Sequence, residues 1–337
     1  MIKRLIALPI AALMLAAAPS AYAADKLVVA VNKLSAGSPL YIGRAKGFFA
    51  EQNLDVSLLH STSAQTIGLA VASGDAPIGM TAFTAGIYAL AGRGSMKIVA
   101  GGYEEAPGFK GLAILVNRAA YERGVRKPAD LKGLRIGSTQ AGSPMENQMA
   151  RIARKYGFGF SDMTIMPLQT LPNLVSAIKG GQVDATALPA TLALQVDKSE
   201  AAKIIGWMAD EIPGQIGGIF ANQNTIAQQG DVVVRFLRGY VKSIRFYDRA
   251  FQHKGADGKP VKGDNYDETL KVIADYLEEP PAQVEAGLPY FNPDARLVSA
   301  NIAEQIEIWQ SAKQLDPSLS AAKVVDDSFL AKAKAGM

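Results

Sequence analysis

The sequence has no cysteine and only two histidines, His60 and His253. Without cysteine there are no disulfides, thiolate nucleophiles or thiolate metal ligands, so stability has to come from the core. Two histidines cannot form a His-rich metal site, and no acid is spaced locally to make a general base of His60, which follows a strand beside Ser61. His253 adjoins a surface loop rich in Gly and Lys. A phosphate-binding Gly-x-x-x-x-Gly-Lys loop and a Gly-x-Ser-x-Gly elbow are both missing. Metal chemistry, phosphoryl transfer and acyl transfer therefore have no basis in the sequence, and neither a cofactor nor a catalytic residue is expected. Beyond the N-terminal segment, no apolar run approaches the ~20 residues of a membrane span.

The N-terminal segment has a clear pattern. A basic lead, Met1-Ile2-Lys3-Arg4, precedes the apolar run Leu5–Ala18, and Ala21-Tyr22-Ala23 is a small-x-small cleavage signature. This predicts a secretory signal over 1–23, cleavage after Ala23 and a periplasmic mature protein. Cleavage removes Lys3 and Arg4 from the 35 basic residues and none of the 31 acidic ones, leaving the mature chain close to neutral. A nucleic-acid partner needs a dominant basic stripe. The one candidate is Arg235, Arg238, Lys242, Arg245 and Arg249 along a single amphipathic helix, a pattern that more often marks a solvated face.

Short apolar strands alternate with small polar loops and helices from Leu27 to about Met208. That order predicts an α/β protein with parallel sheets covered on both faces. An internal echo supports two lobes on one plan. Residues 69–82 (LAVASGDAPIGMTA) and 174–190 (LVSAIKGGQVDATALPA) both run helix, Gly, Asp-Ala, strand. Gly74 and Gly181 fit helix C-caps, and Asp75 and Asp184 read as turn-stabilising carboxylates. From Asp231 the texture changes to long helices, one of which Asn292-Pro293 is expected to open.

The loops carry the functional signal. Ser143-Pro144-Met145-Glu146 is a capping box, which accounts for Ser143 but not for Ser138, Thr139, Gln140, Ala141 and Gly142 before it. Small residues ahead of a helix N-terminus expose backbone N–H groups to an anion or polar ligand, although Glu146 competes for the nearest of them. The first half repeats the design. Ser38-Pro39 starts a helix after Ser35, Thr62-Ser63-Ala64-Gln65 reads as a second capping box, and Thr81-Ala82-Phe83-Thr84 precedes a third helix. Thr170 and Thr191 are secondary candidates, and Lys33 is the cation nearest these loops. Loops at strand carboxyl ends are where open α/β sheets bind ligands.

The segments SPLYIGRAKGFFAEQNLDVSLL, ASGDAPIGMT, KPADLKGLRIGST and IKGGQVDATAL resemble the nitrate/sulfonate/taurine-type periplasmic substrate-binding proteins of ABC transporters, over about residues 27–250. The resemblance implies a two-lobed type II fold, each lobe a parallel-rich sheet with flanking helices. Its first lobe would combine 24–105 with 215–337 and its second would span 106–214. Crossovers near Tyr103–Phe109 and Trp207–Gly217 would form the hinge. A small-molecule ligand would sit between the lobes against Ser35, Ser38, Pro39, Thr62, Phe83, Thr84, Ser138, Gln140, Ala141, Gly142 and Ser143. A monomeric receptor would deliver it to membrane permease and ATPase subunits. The cargo is expected to be a small organic anion, a sulfonate or carboxylate, with Phe83, Tyr41, Tyr103 or Phe109 available to stack a ring. Alternatives on the same scaffold are a secreted enzyme or a ligand sensor. A thiamine-pyrimidine synthase of the fungal type relies on a cysteine-rich motif, which this chain lacks.

Overall fold

The computed structural model describes residues 23–255 and 261–337. The expected signal segment lies outside the described residues, apart from Ala23. Among the described residues no helix is long and apolar enough to cross a membrane.

In chain order the strands are β1 (Asp25–Val31), β2 (Leu54–His60), β3 (Ile78–Ala82), β4 (Met96–Gly101), β5 (Tyr103–Glu105), β6 (Leu112–Asn117), β7 (Arg135–Ser138), β8 (Thr164–Pro167), β9 (Ala185–Pro189), β10 (Ala202–Trp207), β11 (Gly214–Gln215), β12 (Gly217–Asn222) and β13 (Tyr290–Phe291). They form two five-stranded sheets, ordered β2-β1-β3-β12-β4 and β10-β6-β9-β7-β8, and a small third sheet, β11-β5-β13. The large sheets share one design. In the first, β1 pairs in parallel with β2 and β3, and β12 runs antiparallel between β3 and β4. In the second, β7 pairs in parallel with β8 and β9, and β6 runs antiparallel between β9 and β10. The echoing segments end on β3 and β9, which hold equivalent places in the two sheets.

Each large sheet is parallel-rich, as expected, with one antiparallel strand. Parallel strands end at the boundary between the lobes, whereas β6 and β12 begin there, just after the chain has crossed from the other lobe. A strand entering from that edge has to run the opposite way. The crossings themselves are β5 and β11, which pair antiparallel with each other (Gly214 opposite Glu105), while β13 pairs with the other side of β5. The pairing of β13 also explains why the helix expected from Asn292-Pro293 starts only at Ser299. The chain is still extended at Phe291 and turns through Ala295, whose φ is +51°.

Central strands are buried along their whole length, as β3, β6 and β12 are, because helices cover both faces. One face of the first sheet packs Val29 and Val31 against Phe236, Leu237 and Ile244 of the helix Gly230–Phe251. The opposite face holds Ile67, Phe83, Tyr88 and Trp309. A separate core of Ile114, Leu115, Ile136, Ile152 and Leu174 organises the second sheet. The basic residues of helix Gly230–Phe251 are largely engaged locally. Arg235 pairs with Asp25 and Asp231, Lys242 with Glu51, and Arg245 with Asp294.

The two echoing aspartates differ in weight. Asp75 only accepts a hydrogen bond from Ser73 Oγ. Asp184 is buried and takes a two-pronged bond from Arg135, with Nε and Nη2 each 3.0 Å from its oxygens, besides the Arg135 N–H. The Arg135 hydrogen bonds hold its carboxyl down at about 2. A carboxylate with a depressed folded-state pKa stabilises the fold above its unfolded value near 4, and that contribution disappears as pH falls through 2. Asp184→Asn should therefore cost about 2 kcal/mol at neutral pH. Urea denaturation across pH should show the deficit closing toward pH 2.

Candidate ligand-binding crevice

The carboxyl ends of β1, β2 and β3 face those of β7, β8 and β9 across a crevice. Its main chamber, of about 120 Å³, is lined by Asn32, Leu34, Thr62, Ser63, Ala64, Thr81 and Ala82 from the first sheet's side. Thr139, Gln140, Ser143, Pro144, Met145, Gln169, Leu171 and Pro189 face them from the second, with Tyr103 of β5 and Leu112 of β6 at the hinge end. An annex of about 60 Å³ shares Leu34, Tyr103, Leu112 and Pro189 and adds Ser35, Lys110, Thr191 and Gly287. Larger depressions lie elsewhere, about 330 Å³ around Phe109 and Tyr266 and about 530 Å³ beside Phe158 and Trp309. Neither is built on the convergent strand ends of the two sheets, which is where open α/β folds hold ligands.

Each lining group is set by local chemistry. Ser63, not Thr62, caps the helix Ala64–Ser73, its Oγ accepting from Thr66 N at 3.2 Å. That shift of one residue from the expected cap leaves Thr62 outside the cap, in the wall of the chamber. The helix starts with N–H groups at Ala64 and Gln65 that have no intrahelical acceptor. Opposite, Ser143 caps the helix Pro144–Lys155, accepting from Glu146 N. Asn32 uses one amide hydrogen on Ser61 O, and its Oδ1 accepts from Thr81 Oγ1 at 2.7 Å, which fixes the amide at the end of β1. Gln169 lines the chamber from a left-handed backbone (φ +70°), pinned by its N–H to Thr139 O. Lys110 in the annex is the one charged lining residue, and no carboxylate or histidine lines either chamber.

The structure divides the residues singled out in the sequence. Thr62, Gln140 and Ser143 line the main chamber and Ser35 lines the annex. Ser38 and Pro39 are buried in the first turn of the helix Ser38–Ala45, with Ser38 Oγ donating to Ser35 O. Thr84 is buried as the cap of the helix Ala85–Gly92. Phe83 is a core residue, 1% exposed, whose ring leans on Tyr88 and covers Gly218, so it offers no face to a ligand. Tyr41 stacks on Tyr276 and Phe109 lies against Tyr290, which leaves Tyr103 as the aromatic ring at the crevice. Lys33 pairs with Glu278 at 2.9 Å, and the His60 ring meets the Tyr276 hydroxyl.

The loop 138–143 proves to be an interlobe contact as much as a binding loop. Ser138 Oγ is 2.8 Å from Ser143 Oγ, and Ala141 faces outward. Gly142 N–H donates to Glu146 Oε2 at 2.9 Å, so a buried carboxylate already takes that donor; burial raises the Glu146 pKa. Gly142 O accepts from Ala85 N at 3.0 Å, a backbone hydrogen bond between the lobes. Gln140 Nε2 reaches Gln65 Oε1 at 3.3 Å beside it.

Behind the annex lies Glu105, on the first crossing strand and 2% exposed. Its Oε1 accepts from Leu112 N at 2.9 Å, Oε2 has no partner, and the carboxyl presses on Gly111, where any Cβ would collide with it. Burial pushes this acid up to about 8, against the opposing pull of the Leu112 N–H and Arg151. Burial therefore favours its neutral form.

The NMT1/THI5 like family matches residues 36–250. The chain belongs to that family. No curated protein sequence matches it. Among solved structures it is similar to the alkanesulfonate-binding protein SsuA of Xanthomonas axonopodis pv. citri bound to MOPS, with 21% identity, TM-score 0.67, and 89% of this chain and 98% of that one covered. The periplasmic aliphatic sulphonate-binding protein SsuA of Escherichia coli aligns at 17% identity and TM-score 0.68, covering 90% and 92%. The periplasmic nitrate-binding protein NrtA of Synechocystis PCC 6803 aligns at 13% and 0.71, covering 93% and 89%. At these identities the likeness is one of fold, the two-lobed fold of periplasmic binding proteins, and these neighbours bind solutes. Sequence reasoning missed Asn32, Leu112, Gln169, Leu171 and Pro189 as lining groups. Asn32 and Gln169 lie just past strand carboxyl ends, where the same rule would have found them. Leu112 starts a strand and carries no such signal.

Proposed function

We propose that this member of the NMT1/THI5 like family is the periplasmic solute-binding component of an ABC importer, capturing a small organic anion between its lobes and passing it to a permease driven by ATPase subunits. The observation that carries this reading is the crevice itself: an uncharged main chamber between two lobes joined by two crossing strands, rich in donors and lacking an acid or base for catalysis. Its volume is below the ~300–1,000 Å³ that suits drug-sized ligands, which favours a small solute.

The donors indicate where the head group sits. Asn32, Thr62, Thr139, Gln140 and the Tyr103 hydroxyl converge on the chamber, and the helix starting at Ala64 points its positive end there. Because Glu146 occupies the opposite helix end, a sulfonate or carboxylate belongs on the Ser63 side. Leu34, Leu112, Met145 and Pro189 would cover a short apolar body, and Lys110 stands at the annex for a second polar end. Binding that bridges the lobes favours the closed arrangement in proportion to its differential affinity for the two states.

The test is a thermal-shift screen of the mature protein with sulfonates, carboxylates, nitrate, bicarbonate and pyrimidines. A sulfonate or carboxylate at a hundredfold excess over its dissociation constant should add about 2.7 kcal/mol of stability. A response to neutral pyrimidines alone would refute the anion assignment. Chemical conversion of a bound solute would refute the receptor.

A further inference from the structure

The helix Ser299–Ser311 packs its apolar side, Ile302, Ile306 and Trp309, into the first lobe. Its polar side meets the second lobe and the crossing strands. Gln305 Nε2 donates to Gln215 O at 2.8 Å, and Asn301 Oδ1 accepts from Gln215 N, so the helix is tied to β11. Asn147 Nδ2 reaches Gln305 O at 3.3 Å, and Arg154 pairs with Glu307. All of these second-lobe groups lie on the helix Pro144–Lys155, the one whose capped end lines the crevice.

Arg151 is the most committed of them. It is 6% exposed. Its Nη1 donates to Gln148 Oε1 and to Ile212 O, and its Nη2 donates to Pro213 O at 3.2 Å, on the second crossing. Its Nε lies 3.1 Å from Glu304 Oε2, a charge contact without the alignment of a hydrogen bond. One guanidinium therefore joins the crevice helix, the crossing segment and the helix Ser299–Ser311 of the other lobe.

We propose that Arg151 is a positioning residue that sets solute affinity without touching solute, by holding the lobes together through Glu304. A planar fork suits this role because it serves two carbonyls and a carboxylate at fixed angles. A contact present only when the lobes are together adds its free energy to the closed state, and apparent affinity follows the fraction of closed receptor. The affinity part of this inference rests on the solute-binding reading; the lobe-holding part does not.

The experiment measures solute affinity by calorimetry and the radius of gyration of the ligand-free protein by X-ray scattering, for wild type, Glu304→Gln, Glu304→Asp and Arg151→Lys. Glu304 is a partly exposed helix residue, so Glu304→Gln should fold normally. It is expected to weaken the tightest-binding sulfonate or carboxylate about five- to tenfold, the lower range of allosteric couplings, and to expand the ligand-free protein. Glu304→Asp, which keeps the charge, should recover most of both effects, and Arg151→Lys should mimic Glu304→Gln. Unchanged affinity and unchanged dimensions overturn the proposal, and so does a fall in urea stability with neither readout moving. If no solute in the panel binds wild type, the ligand class is wrong, and the scattering alone decides whether Arg151 holds the lobes.

Discussion

Glu105→Gln should make the protein more stable than wild type, by a margin that grows with pH. Glu105 is protonated in the fold up to about pH 8, whereas its unfolded value is near 4.5. Between those values the unfolded chain releases a proton that the folded chain keeps, so wild-type stability falls as pH rises through the window and levels off above it. The shift corresponds to roughly 4–5 kcal/mol at its full extent. Glutamine keeps an acceptor for Leu112 N–H and has no charge to bury. Urea denaturation should show the two proteins nearly equal at pH 4, with the variant ahead by about 3 kcal/mol at pH 7. A difference independent of pH would mean that Glu105 is not the buried acid described here.

Gly142→Val should cost solute affinity a hundredfold or more while leaving each lobe folded. Gly142 sits at φ +72°, where an L side chain costs about 1–2 kcal/mol. A Cβ there would lie 2.9 Å from Ala85 Cβ and 3.0 Å from Gln314 Oε1, both in the other lobe. The lobes would have to separate, which breaks the Ala85 N–H bond to Gly142 O and widens the crevice. Calorimetry should register the lost affinity, and scattering should show an expanded ligand-free protein. Wild-type values in both would remove Gly142 from the interlobe contact. Gly142→Ala, with less bulk, should fall between the two.

The contrast between Gly142 and Phe83 shows how far residue patterns carry. Both stand in small polar stretches that precede helices. At Gly142, the loop does bring neighbours such as Gln140 and Ser143 to the crevice, although its own contribution is a backbone contact across the lobes. At Phe83, the same pattern conceals a ring that turns back into the core, where it lies against Gly218 on the adjoining strand, a position at which any Cβ would meet it. Local sequence records which backbone stretches are loops and caps; it does not record which way a side chain leaves them. The Ser63 cap is a smaller example, since both Thr62 and Ser63 can cap a helix and the structure uses Ser63.

By itself the sequence determined the α/β class, the repeated plan of two lobes, the loops that carry polar groups and the absence of any cysteine. These follow from periodicity, helix-end chemistry and residue inventory, all of which act over a few residues. Only the tertiary structure decided that β6 and β12 run against their sheets, that Leu112 and Pro189 wall the crevice, that one carboxyl oxygen of Glu105 is buried without a partner and that Arg151 bridges to Glu304. Each of these depends on contacts between residues far apart in the chain, fixed by where the chain crosses between lobes, and no local pattern encodes a meeting of that kind.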